Sequence, residues 1–106
     1  MALIILPDAQ EDLLSLQEYM LDKSSEAVWL KAEDEIFEKL ALVDTGFLTG
    51  ASVQELASVG IFEYQNAFTA HHKLVYRRID ADIYVYVIAG HKQDFQTLLM
   101  KRLFKI

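Results

Sequence analysis

With 106 residues, 53% of them hydrophobic, and a formal net charge of −6, the chain is long enough to bury a core as one domain over residues 1–106. It has no cysteine, which excludes a thiolate metal centre, a cysteine nucleophile and a disulfide framework. The acidic balance argues against a general nucleic-acid-binding surface, no apolar run approaches a membrane span and no basic segment precedes an apolar N-terminal stretch, so a cytoplasmic protein is expected.

Ala2 to Leu6 is a short apolar run stopped by Pro7, and reads as a strand of the main sheet. Pro7 suits the first turn of a helix, where its missing N–H costs nothing. Asp8, Glu11 and Asp12 place negative charge at that helix's positive end. Ala9, Leu13, Leu16 and Met20 follow helical spacing, with Leu14 and Leu21 widening the apolar face, so a helix is predicted over about 8–22. Lys23-Ser24-Ser25 breaks it, and either serine can cap a second helix. Trp29, Ala32, Ile36, Leu40 and Val43 form the stripe of that helix over about 26–43, with Val28 and Phe37 beside it. Glu33, Asp34, Glu35 and Glu38 fall largely away as a solvated face. Two helices joined so closely make an antiparallel αα-hairpin that needs a surface to cover.

From Asp44 to Gly60 the pattern is weak. Gly46, Gly50 and Gly60 mark turns, and Val53 to Leu56 suits a helical turn. Ile61 to Gln65 alternates like a strand that pairs with the one after Asn66. A β-hairpin comes next, with strands at about 70–79 and 83–89 joined through Asp80-Ala81-Asp82. The second strand is apolar on both faces, with Ile83, Val85 and Val87 on one side and Tyr84, Tyr86 and Ile88 on the other, as in a strand central to its sheet. In the first strand Leu74 and Tyr76 share a core-like face with His72 and Arg78 at its ends, and Lys73, Val75 and Arg77 share a cationic one. Asp94 is a good cap for a final helix to Phe104, with Phe95, Leu98, Leu99, Arg102 and Leu103 on one side. The expected fold is α+β: an N-terminal strand, an αα-hairpin packed on a small, mostly antiparallel sheet of 3–4 strands, and a short C-terminal helix.

The acids lie mostly in residues 8–63, whereas residues 71–106 hold Lys73, Arg77, Arg78, Lys92, Lys101, Arg102 and Lys105 against Asp80, Asp82 and Asp94. His71 and His72, adjacent on a strand, point to opposite faces and cannot share a metal ion, so no metal and no cofactor is expected. His91, just beyond the central strand, is a candidate general acid or base.

Ala9-x-x-Asp12-Leu13-x-x-Leu16-x-x-Tyr19, the run Lys73-Leu74-Val75-Tyr76-Arg77-Arg78-Ile79-Asp80 followed by Ile83 to Ile88, and Gly90-His91-Lys92-Gln93-Asp94 together resemble the RelE/ParE family of bacterial type II toxins. Glu55-Leu56 before Gly60 is loosely similar to that family's entry into the sheet. The resemblance implies one of two activities. RelE-like members cleave mRNA in the ribosomal A site, using Lys and Arg on the reacting phosphate with a Tyr or His as acid or base; ParE-like members poison DNA gyrase. Both are silenced by a cognate antitoxin whose C-terminal segment wraps the toxin, which implies a heterotetramer with antitoxin or a homodimer. Lys73 falls where the nucleases place an Arg, Gln93 where they place a second Arg, and Leu99 where several have a Tyr. Gln supplies no cation and Leu no proton, which favours the ParE-like branch. Gyrase is then the expected target, and no direct nucleic-acid or membrane binding is expected of the isolated chain. Target and antitoxin contacts are expected at Lys73, Arg77, Lys92, Lys101 and Arg102. The alternatives are a ribosome-dependent endoribonuclease using Lys73, Arg77, His91 and Lys92, and a non-toxic interaction module on the same fold.

Overall fold

The computed structural model describes residues 2–91 and 93–104; Lys92 and Lys105 of the basic C-terminal third lie outside the described residues. The chain opens with β1 (Leu3–Ile5) and turns at once into α1 (Pro7–Lys23), with Pro7 in its first turn. After the serine break, α2 (Glu26–Asp44) starts where Ser25 Oγ accepts a hydrogen bond from the Val28 amide at 3.3 Å, so the expected cap is made by the second serine. Beyond it come β2 (Ala51–Ser52), the single turn α3 (Gln54–Ala57), β3 (Gln65–Phe68), β4 (His72–Ile79), β5 (Asp82–Gly90) and α4 (Phe95–Phe104). Asp80, in the turn between β4 and β5, takes a positive φ of 56°, a conformation that Asp tolerates better than most residues.

The sheet has five strands in the order β1-β5-β4-β3-β2. β1 runs parallel to β5 and the other neighbours are antiparallel. This is one strand more than expected. The exposed Ala51–Ser52 pair carries no apolar signature and pairs with Gln65 and Asn66 at the sheet's edge. The strand expected over 61–65 begins only at Gln65. Ile61 packs instead against the core formed with Val53 and Leu56, which explains its apolar character without a strand. Before β2, Gly50 holds a φ of +71°, and a Cβ there would meet the Tyr76 hydroxyl and, at 2.8 Å, the Asn66 carbonyl. The Tyr76 hydroxyl donates to the Thr49 carbonyl at 2.7 Å and so ties this loop to β4.

Two cores sandwich the sheet. Trp29, Ala32, Ile36, Leu40 and Val43 of α2 and Ala9 and Leu16 of α1 pack on Leu74, Tyr76, Ile83, Val85 and Ile88. On the opposite side Phe95 and Leu99 of α4 join Val53 and Leu56 over Val75, Val87 and Ala89. The second face is therefore an apolar core with cations only at its margin, not a cationic face. It is also covered within the chain, so an antitoxin segment is not needed to bury it. Leu14 and Leu21, expected to widen the inward face of α1, are 60% and 44% exposed.

The alternation along β5 is broken where the sequence offers no mark. Val75 pairs with Val87 and the next residue, Tyr76, pairs with Val85, which leaves Tyr86 as an extra residue. This bulge shifts the alternation: Ile83 and Val85 face the αα-hairpin, Val87 and Ala89 face α4, and Ile88 returns to the hairpin side. Val87 thus lies opposite to the side that strict alternation with Ile83 and Val85 requires.

Candidate functional site

β1 registers only with Ile83, Tyr84 and Val85, so the outer edge of β5 beyond the bulge needs other partners. Side chains supply them. Asp12 Oδ2 accepts from the Ile88 amide at 3.0 Å, Arg102 Nη1 donates to the Tyr86 carbonyl at 2.8 Å, and Gln93 Oε1 accepts from the Gly90 amide at 2.6 Å. Asp12 and Arg102 also meet each other in a two-pronged pair, Nη1 to Oδ2 at 2.9 Å and Nη2 to Oδ1 at 2.8 Å, with Asp8 Oδ2 3.7 Å from Nε. The hydrogen bond to Asp12 holds Arg102 more firmly in its charged form than an ordinary arginine. The side chains of both are almost buried, 14% exposed for Arg102 and 13% for Asp12.

This geometry sorts the expected contact residues. Arg102 is turned inward as the clamp between α4, α1 and the bulge, whereas Lys101 beside it is exposed. Lys73 is half-buried, with Nζ 4.0 Å from the centre of the Phe95 ring and 5.4 Å from that of Phe68. Arg77, on the same side of β4, lies over Tyr64 at 5.9 Å, and Tyr64 meets Tyr86 edge to face at 5.1 Å. Burial first, then the neighbouring Tyr86, raises the Tyr64 pKa against the pull of Arg77. The two cations therefore sit against different rings along one face, and Lys92 lies outside the described residues. Arg78, at the end of the core-like face, is exposed and donates to the Val43 carbonyl at 2.7 Å.

His91 is exposed at the end of β5. Its Nε2 donates to the Thr69 carbonyl at 2.9 Å, and its ring stacks on Phe68 at 6.2 Å. It borders a groove of about 670 Å³ between the C-terminal half of α1 and the ends of β4 and β5, lined among others by Leu16, Tyr19, Met20, His71 and His72. Gln93 reaches the same groove but its amide oxygen is taken by Gly90, and Leu99 is fully buried in the second core. Among the described residues no group of three His, Asp or Glu side chains is placed to hold a metal ion, and no helix is long and apolar enough to cross a membrane.

His72 is the residue whose environment the sequence reading missed. It is 2% exposed, and its Nδ1 has no hydrogen-bond partner among the described residues. Burial, then the proximity of His71 and His91, lowers its pKa to about 4 against a small opposing effect of Glu35. The folded protein thus holds it neutral while the unfolded chain takes up a proton near pH 6.5. Its contribution to stability is complete above that value and is lost as pH falls from 6.5 toward 4, by up to about 3 kcal/mol. As pH drops through this window the urea midpoint of the parent chain should fall relative to that of His72→Phe; parallel curves would show that His72 titrates normally.

A family model described as ParE toxin of type II toxin–antitoxin system, parDE, matches residues 3–95, from the first residue of β1 to the first of α4. No curated protein matches the chain.

Proposed function

The chain belongs to the ParE toxin family of type II toxin–antitoxin systems, and we propose that it arrests growth by binding DNA gyrase in the cytoplasm until a cognate antitoxin masks it. Membership in such a system implies an antitoxin partner. The choice of a binding mechanism over catalysis is supported above all by the state of the groups that cleavage would need. Gln93 caps the Gly90 amide and Leu99 is core, so neither position offers a cation or a proton. Arg102 is committed to Asp12 and the Tyr86 carbonyl. Losing one group that stabilises a charged transition state costs on the order of 100- to 1000-fold in rate. Binding a protein surface needs only a few anchors in a complementary patch, for which Lys73, Arg77, Lys92 and Lys101 are the candidates.

The test is direct. Purified protein added to gyrase should reduce negative supercoiling of a relaxed plasmid, and induction in cells should give DNA damage and filamentation while translation continues. His91→Gln, which exchanges one exposed hydrogen-bonding side chain for another, should leave toxicity largely intact. Early translation arrest with mRNA cut at codons on ribosomes, abolished by His91→Gln in a protein that still folds and binds its antitoxin, would replace this reading with a nuclease.

A further inference from the structure

At the opposite end of β4 from His72, a cavity of about 550 Å³ opens between the end of α2 and the start of β3. Asp44, Glu63, Arg78, Phe62 and Tyr76 are among the residues that line it. Asp44 is poorly placed by every ordinary criterion. It is the last residue of a helix of 19 residues, where the negative end of the dipole disfavours a carboxylate, and the last turn of α2 carries no basic residue. Its Oδ1 is buried and has no hydrogen-bond partner among the described residues. The cation that lines the same cavity, Arg78, donates to the Val43 carbonyl and leaves that oxygen without a donor. An unpaired buried acceptor is costly, and a donor carrying positive charge would satisfy it and offset the dipole together. Glu63 adds a second carboxylate at the exposed rim.

The surroundings specify what kind of cation fits. Phe62 lines the cavity and is 61% exposed, while Phe47, in the adjoining loop, is 85% exposed. Exposed aromatic rings beside a concave, negatively charged pocket suit a planar guanidinium, which stacks on a ring and bonds carboxylates in a fork. Two rings standing in solvent outside a pocket for one side chain also offer contact area to the residues that flank it, as the anchor points of protein interfaces do. We propose that this cavity receives an arginine side chain of a partner polypeptide, bound between Asp44 and Glu63 with Phe62 against its plane. The inference concerns a surface apart from the cations assigned above to target binding, and it stands whether or not gyrase is the target.

The experiment is an NMR titration of the isotopically labelled full chain with the blocked tripeptide Gly-Arg-Gly, with Gly-Leu-Gly as its apolar counterpart and butylguanidinium as a guanidinium without a peptide. The expected result is shifts confined to the cavity lining, Asp44, Thr45, Leu48, Phe62, Glu63 and Tyr76, saturating on the order of millimolar concentration, with affinity about tenfold lower in Asp44→Asn. Should Asp44→Asn fold poorly, the exposed Glu63→Gln reads the same contact and should also weaken binding. Phe62→Ala should weaken the tripeptide as well. Four results would overturn the proposal: no localised shifts on the order of tens of millimolar, the same shifts from Gly-Leu-Gly, affinity unchanged in whichever acid variant folds, or butylguanidinium bound as tightly as the tripeptide.

Discussion

Replacing Arg102 by alanine should lower the unfolding free energy by about 3–5 kcal/mol, the usual cost of stripping one partner from a buried ion pair. The change leaves the nearly buried Asp12 carboxylate facing no cation and the Tyr86 carbonyl without its donor. Asp12→Ala should cost a similar amount, because it strands the guanidinium and the Ile88 amide at once. The two effects should not add. A double replacement by apolar residues of similar size, Asp12→Leu with Arg102→Met, should recover the share of the loss that comes from a stranded charge, while the Ile88 amide and the Tyr86 carbonyl still lack the partners these side chains supplied. Lys101→Ala, one residue away and exposed, should stay within about 0.5 kcal/mol of the parent. Urea unfolding of the four variants decides the matter; an Arg102→Ala midpoint equal to that of Lys101→Ala would show that the clamp contributes nothing.

A second large loss is expected where α2 meets the sheet. Ile36 is fully buried among Leu74, Ile83 and Val85 in the hairpin-side core. Ile36→Ala removes apolar atoms and leaves a cavity that close-packed neighbours fill only in part, at a cost of about 2–5 kcal/mol. Leu16→Ala, at the edge of the same core and 9% exposed, should fall toward the lower end of that range. Leu14→Ala on the outer side of α1 should change stability by less than about 0.5 kcal/mol. An unchanged midpoint in Ile36→Ala would mean that the αα-hairpin does not dock through this stripe.

These contrasts show what was legible in the sequence. The stripe from Trp29 to Val43 repeats with helical spacing over several turns, and every member is buried. The tight β-hairpin, its position at the centre of the sheet and the cap at Asp94, whose Oδ1 accepts from the Thr97 amide, arise from local chemistry that needs no distant partner. The failures share the opposite property. Arg102 looked like a surface anchor because it is basic and near the end of a helix, but the acid that turns it inward lies 90 residues earlier. The bulge at Tyr86 was invisible because Ile83 to Ile88 is apolar throughout, so either alternation fits equally well. Ala51–Ser52 joins the sheet through backbone pairing alone, which leaves no trace in side-chain type. His72 shares the core-like face with Leu74 and Tyr76, but how completely it is buried, at 2% exposed, is not legible at the end of a strand.

Of the candidate site, that Gln93 supplies no cation and Leu99 no proton could be read from residue type alone. The aromatic settings of Lys73 and Arg77 could not, because Phe95 and Tyr64 reach them from separate parts of the chain.

The pairing of β1 with β5 also sets an order in time. Leu3 to Ile5 register with Ile83 to Val85, and the Ala2 amide donates to Asp82 at a separation of 80 residues. At roughly 5–20 residues per second of synthesis, the first strand made waits roughly 4–16 s for its partner to be assembled. Throughout that interval the apolar stripes of α1 and α2 lack most of the sheet on which they pack. Contacts this distant in sequence slow folding, because the loop must close before they can form. The newborn chain therefore cannot complete its sheet until β5 has left the ribosome, and until then α1 and α2 lack the surface that buries their stripes.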